Sequence, residues 1–213
     1  IYLNAASSGI DVTEGKTLTL ANNNAFAFSA STNNLQKNDL GTLVLSGTNS
    51  SWLGTLTVAA GNVRVTNNEA IGGTVTVNAT TGAALQLAGV SLAEPINLAG
   101  TGFDNTGALR AVSGVNTISA AGTVTLTAAA NIGADAGASL TIAGTIAGAQ
   151  ALTFFGGGTI SLTGSLGTGA SSITKFGSGR LLFTGTNSGF VGAITLNAGS
   201  LELSNTGTLG ATG

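Results

Sequence analysis

Apolar and polar residues alternate with a period of two along most of the chain, as in Thr17 to Leu20, Thr74 to Val77, Ala84 to Leu87, Thr123 to Leu126, Leu140 to Ile142 and Thr159 to Leu162. Successive side chains of an extended strand point to opposite faces, so this pattern predicts β-strands with one dry face. Gly or Asn interrupts the strands every 7 to 13 residues, and no segment has the three-and-four spacing of an amphipathic helix. Helix content is predicted to be close to nil. Pro95, the only proline, lies where a strand begins, a position that needs no ladder donor.

Strand spacing sets the architecture. The centres of Leu43–Leu45, Leu56–Val58, Val63–Val65, Val75–Val77 and Leu85–Leu87 are 13, 7, 12 and 10 residues apart, so three short strands close a rung of about 20 to 32 residues. At about 4.8 Å per rung this gives roughly seven to ten rungs and a rod roughly 35 to 50 Å long. Leu, Val, Ile and Phe would fill vertical inner stacks, with Thr, Ser and Asn outside. Residues 100–169 are richer in Ala and Gly and less regular.

One stretch recurs. Residues 35–73, LQKNDLGTLVLSGTNSSWLGTLTVAAGNVRVTNNEAIGG, return as residues 173–211, ITKFGSGRLLFTGTNSGFVGAITLNAGSLELSNTGTLGA, at a constant offset of 173 − 35 = 138 and without a gap. The offset carries Lys37 to Lys175, Gly47-Thr48-Asn49-Ser50 to Gly185-Thr186-Asn187-Ser188, Trp52 to Phe190, Gly54 to Gly192 and Gly61 to Gly199. What repeats is a strand, a Gly-Thr-Asn turn, an aromatic, a Gly, a strand, an Ala-Gly turn and a strand. Such a unit buries its apolar face only by stacking, which is the signature of a solenoid. We therefore expect one domain over 1–213. Equivalent positions of the two blocks are expected to share one corner of the cross-section, with Leu43/Leu181 and Val58/Leu196 pointing inward.

The two blocks resemble the autotransporter-associated β-strand repeat of secreted passenger regions of bacterial autotransporters. The resemblance rests on Gly-x-Leu-x-Leu-x-Gly-Thr-Asn, then Gly-x-x-Thr, then Ala-Gly-x-Leu/Val. It implies a right-handed parallel β-helix displayed outside the cell, at the bacterial surface or beyond, and no shared catalytic residues.

Composition narrows the chemistry. Charged residues are 7%, with Lys+Arg 6, Asp+Glu 8 and net charge −2, so no basic stripe supports a nucleic-acid partner. Cys, Met and His are absent, which removes disulfides, thiol nucleophiles, imidazole bases and the common soft metal ligands. No cofactor or metal is expected. The long charge-free runs are broken by Gly, Thr, Ser and Asn, so membrane insertion of this segment is not expected. A chain opening on Ile1 without Met reads as processed or excised from something longer.

Candidate sites are few. Asp11, Glu14 and Lys16 form the only tight charge cluster and read as an exposed turn rather than a paired-carboxylate site. Asp39, Glu69, Glu94, Asp104, Asp135 and Glu202 are dispersed and have no basic neighbour in sequence, although stacking could set Glu69 above Glu94. Residues 133–137 hold one incomplete copy of a calcium-binding turn, which would have to recur in tandem to act. Asn49 and Asn187 suggest an amide ladder. Trp52 and Phe190 read as corner packing, with a carbohydrate-stacking platform as the alternative. The structural set is thus Gly47, Asn49, Trp52, Gly54 and Gly61, with Gly185, Asn187, Phe190, Gly192 and Gly199. Thr pairs at 17/19, 55/57, 74/76 and 123/125 raise an ice-binding alternative, but an ice plane requires a strict period and these spacings are irregular.

The expected function is a non-enzymatic structural or adhesive β-solenoid; a carbohydrate-binding or carbohydrate-cleaving β-helix is the second reading. Neither end shows a capping helix or charged lid. End-to-end self-association, with contacts through Ile1, Tyr2, Leu3, Leu201, Leu203 and Leu209, is therefore expected unless the chain is a piece of a longer solenoid. Surface carbohydrate is the other candidate partner.

Overall fold

The computed structural model describes residues 2–3, 7–24, 27–28, 32–73, 75–77, 82–167, 170–204 and 208–209. Ile1 and Thr74, named above, lie outside them. The chain is an all-β solenoid of about eight turns. Among the described residues the only helical element is the 3-10 turn Phe103–Asn105, and no helix is long and apolar enough to cross a membrane.

Three sides build each turn. The first side stacks Ser7–Asp11, Asn34–Asn38, Leu56–Val58, Val75–Val77, Ile96–Gly100, the opening of Val124–Ala134, and Ile146–Ala147, all parallel. The second side stacks Thr17–Leu20, Thr42–Leu45, Asn62–Val65, Ala84–Ala88, Leu109–Ser113, the close of Val124–Ala134, Gln150–Phe155, Ala170–Lys175 and Ala193–Leu196. The third side stacks Ser91–Leu92, Val115–Ile118, Ser139–Ile142, Thr159–Leu162, Arg180–Phe183 and Ser200–Leu203. Val124–Ala134 bends across two sides and joins them in one sheet. The Ala- and Gly-rich middle thus keeps the same winding.

Register turns the alternation into vertical columns. On the second side Leu18, Leu43, Val63, Leu85, Leu109, Ile132, Phe154, Lys175 and Leu196 lie one above another. On the third, Leu92, Ile118, Ile142, Leu162, Phe183 and Leu203 do the same. Most of these side chains are fully buried, and each large aliphatic one contributes roughly 1.5–3 kcal/mol relative to exposure.

The columns also correct the reading of the duplication. From Leu35 the first-side column climbs through Leu56, Val75, Ile96, Val124 and Ile146 to the bridge at Leu166, and Ile173 lies one side further on. The offset is therefore six turns plus one side. Pairing within the blocks is conserved: Leu35 on Leu56 matches Ile173 on Ile194, and Leu43 on Val63 matches Leu181 on Leu201. The placement around the axis is not. Trp52 precedes a first-side strand and Phe190 a second-side strand, so they occupy different corners. Leu43 and Leu181 are both buried, whereas Val58 is buried and Leu196 is 50% exposed, because Ala193–Leu196 is paired on one edge only among the described strands. The rotation has a visible origin: the loop that stands in for a strand occupies the third side at residues 46–55. Beyond Ile146–Ala147 it has migrated to the first side, which narrows to Thr186–Asn187 and Thr208–Leu209.

Candidate functional site at the corners and terminal turns

The alternation of Asn34–Asn38 sends Leu35 and Lys37 inward, and Lys37 is fully buried between Ile10 and Val58 of the adjoining turns. Its ammonium donates to the carbonyls of Asn38 and Asp39 (2.5 and 2.7 Å) and, across the turn, to Ala60 O at 3.3 Å. Lys175 repeats this between Phe154 and Leu196, donating to Phe176 O at 2.7 Å and Gly177 O at 2.8 Å. The chain is left-handed at the equivalent Asp39 (φ 61) and Gly177 (φ 77), which closes both carbonyl turns. Burial lowers the pKa of both lysines below the ordinary value; at Lys37 the charges of Asp39 and Asp11 oppose that shift. An amine so enclosed fastens a corner and offers no approach to a substrate. The sequence marked these lysines as matching positions but gave them no role; the signal was a charge in the inward phase of a strand.

The other corner residues are placed as packing elements. Trp52 is fully buried and donates its indole N–H to Asn33 O at 2.7 Å, and Phe190 is 3% exposed, so neither ring is a carbohydrate platform. The amide ladder is not formed. Asn49 Nδ2 donates to Ala70 O one turn away, while Asn187 Oδ1 accepts from the Leu166 N–H and its Nδ2 donates to Gly185 O. A third buried amide, Asn116, was not singled out from sequence. Its Oδ1 accepts from the N–H groups of Gly89 and Val90, and its Nδ2 donates to the carbonyls of Ser113, Gly114 and Ser139.

Gly47, Gly54, Gly185 and Gly192 sit where backbone passes against the backbone of the turn below, and a Cβ there would overlap Asn22 O, Asn33 O, Gly164 O and Ser171 O respectively. Gly61 and Gly199 add a positive φ of 62 and 77. Gly185→Ala is expected to cost about 1–3 kcal/mol by overpacking, whereas Gly189→Ala, in open space, should leave the urea midpoint unchanged. Equal midpoints for the two variants would show that the corner tolerates a side chain.

Stacking supplies the basic partners that sequence neighbours do not. Arg110 grips Asp135 by two bonds of 2.8 and 2.9 Å, and Arg180 reaches Glu202 at 2.6 Å. The Asp135 carboxylate is thereby engaged, against the calcium-turn reading. Glu69 and Glu94 form no described contact with each other. Glu94 accepts from the Ala93 N–H at 2.9 Å, and burial raises its pKa. Among the described residues no group of three or more acidic side chains is arranged to hold a metal. The Thr ranks are interrupted, since Thr19 stacks on Val44 and Thr125 on Ala147.

The cluster at Glu14 and Lys16 does not stand alone. Together with Thr17, Leu40, Gly41, Thr42, Asn62, Phe103 and Asp104 it lines an open cleft of about 430 Å³ along the corner between the first and second sides. Asp11 lies outside this lining.

The proposed end residues other than Ile1 lie on the first and last described turns. Tyr2–Leu3 pairs in parallel with Ala27–Phe28. Leu201 and Leu209 are half-buried against the core, and Leu203 is 48% exposed.

The fold and its corners define a parallel β-solenoid. The profile of the passenger-associated-transport-repeat matches the chain twice, over residues 35–65 and 173–203. Both matches fall within the duplicated blocks, and the match is consistent with a secreted or surface-exposed bacterial protein of the autotransporter passenger type. No curated protein and no solved structure matches the chain.

Proposed function

We propose that this chain is a non-catalytic rod of an exported bacterial surface protein, structural or adhesive in role, whose copies associate end to end. One observation carries the proposal. Ile194, Leu196 and Leu203 are 36, 50 and 48% exposed, although their counterparts in the first block, Leu56, Val58 and Val65, are at most 1% exposed. The repeat buries these positions in mid-rod and leaves them exposed at Ala193–Leu196 and Ser200–Leu203, each of which is paired on one edge only among the described strands. An apolar parallel edge is a template for a further strand, and a head-to-tail contact that does not close yields a filament. The non-catalytic reading is supported by the buried lysine amines held by carbonyls and by two acids engaged with arginines.

Light scattering and negative-stain imaging over a concentration series test this. Rods lengthening with concentration are expected, and Leu196→Lys should shorten them by placing a charge on the stacking face. A folded, monodisperse monomer at high concentration would refute end-to-end association.

A further inference from the structure

The cleft beside Phe103 deepens the adhesive half of the reading above and rests on it for biological context, though not for its chemistry. We propose that this cleft binds a linear, uncharged or amino-sugar glycan lying along the solenoid axis.

The floor is a ladder. Thr17, Thr42 and Asn62 stand in register on consecutive turns, about 4.8 Å apart as parallel strands require. Thr17 and Thr42 thus offer a hydroxyl on each of two consecutive turns, which suits a polymer carrying hydroxyls on every unit better than a compact metabolite, while the Asn62 amide on the next turn donates to Thr42 Oγ1 at 3.5 Å and backs the ladder. Asn62 is 6% exposed, and its amide is oriented by the 2.8 Å bond that its Oδ1 accepts from Gln86.

The wall is the loop between Ile96–Gly100 and Leu109–Ser113. At 39–41 and 59–61 this corner takes three residues; here it takes eight, 101–108, and carries the turn Phe103–Asn105, with Asp104 and Asn105 both left-handed (φ 54 and 58). Thr106 ties the loop down by donating to Phe103 O at 2.8 Å and accepting from Arg110 at 2.8 Å. Phe103 is half-buried and supplies apolar surface suited to the C–H face of a sugar ring, while Asp104 is exposed beside it.

Charge selects the ligand. Glu14 and Asp104 bring two carboxylates and Lys16 one ammonium. Carboxylates accept strongly from hydroxyls, and their excess of one negative charge disfavours uronic or sialic acid polymers. A volume within the range of ligand sites, lined by one apolar ring and several polar groups, fits an oligosaccharide.

The test is titration of the 213-residue chain with neutral hexose oligomers, N-acetylhexosamine oligomers and a uronate oligomer, read by calorimetry. At least one neutral class should bind and the uronate should bind at least about tenfold more weakly. Phe103→Ala and Asp104→Asn should each weaken binding roughly tenfold, while Phe176→Ala, at an exposed ring elsewhere, should leave it unchanged. Circular dichroism checks that each variant keeps its β signal. No binding by any neutral oligomer, binding undiminished in Phe103→Ala, or equal binding of the uronate would overturn the proposal. Assembly is measured without glycan, so rods that form but bind no sugar refute the cleft alone. Sugar binding by a chain that stays monomeric refutes end-to-end association alone.

Discussion

Trp52→Ala is expected to destabilise the rod by about 3–5 kcal/mol, the range for deleting a large buried aromatic. Trp52 heads the fully buried side chains by volume, and its ring closes the corner between the 46–55 loop and Leu56–Val58. The substitution also removes the indole N–H from Asn33 O, adding the loss of a buried hydrogen bond. Gly54 passes so close that a Cβ there would stand 2.6 Å from Nε1, so the surrounding backbone has little freedom to collapse into the space. Trp52→Phe should cost much less, because the second block uses Phe190 at the matching position, buried to 3%. Urea unfolding of the three chains measures both effects. A Trp52→Ala midpoint close to wild type would show that the corner is not a packing centre.

What could be read from the sequence was local. Alternation identifies Leu43, Leu45, Leu181 and Leu201 as inward because side-chain direction depends only on the next residue or two. The corner glycines follow from spacing within one unit. Six turns plus one side could not be read, because it depends on the summed length of all intervening turns, and the 138-residue match encodes the unit without its angle around the axis. The ion pairs were hidden for a related reason. Arg110 and Asp135 are 25 residues apart and Arg180 and Glu202 are 22 apart, separations that mean contact only once the length of a turn is known. That Phe103, Asp104 and Glu14 line one cleft was hidden for the same reason, since they come from different turns. Lys37 and Lys175 were legible in phase, yet a lysine in an apolar column has no meaning until the carbonyls at the turn are placed around it.

Those two lysines give the second large effect, a pH dependence of stability. Burial holds both folded-state pKa values below the ordinary 10.5, whereas the unfolded chain keeps its protons up to that value. Below the folded pKa both states carry the proton and the cost of burying the ammonium is fully present. Between the folded pKa and 10.5 the unfolded state binds more protons, so stability rises with pH. Above 10.5 both states are neutral and the cost is gone. Lys175→Met keeps a side chain of similar length in the column with Phe154 and Leu196 but cannot titrate. The stability of wild type relative to Lys175→Met should therefore increase as pH is raised from neutral toward 10.5, with a slope of at most about 1.4 kcal/mol per pH unit. Lys37→Met should remove a similar slope, reduced by Asp39 and Asp11, which favour the charged form. Because every other titrating group is shared, the difference between urea midpoints at each pH isolates the buried amine. A flat difference would mean that the carbonyls of Phe176 and Gly177 fully offset the burial penalty, and one falling with pH that they hold the ammonium more firmly than burial penalises it. In the latter case the lysines would be net electrostatic fasteners of the corners, and their alkaline titration would loosen the rod.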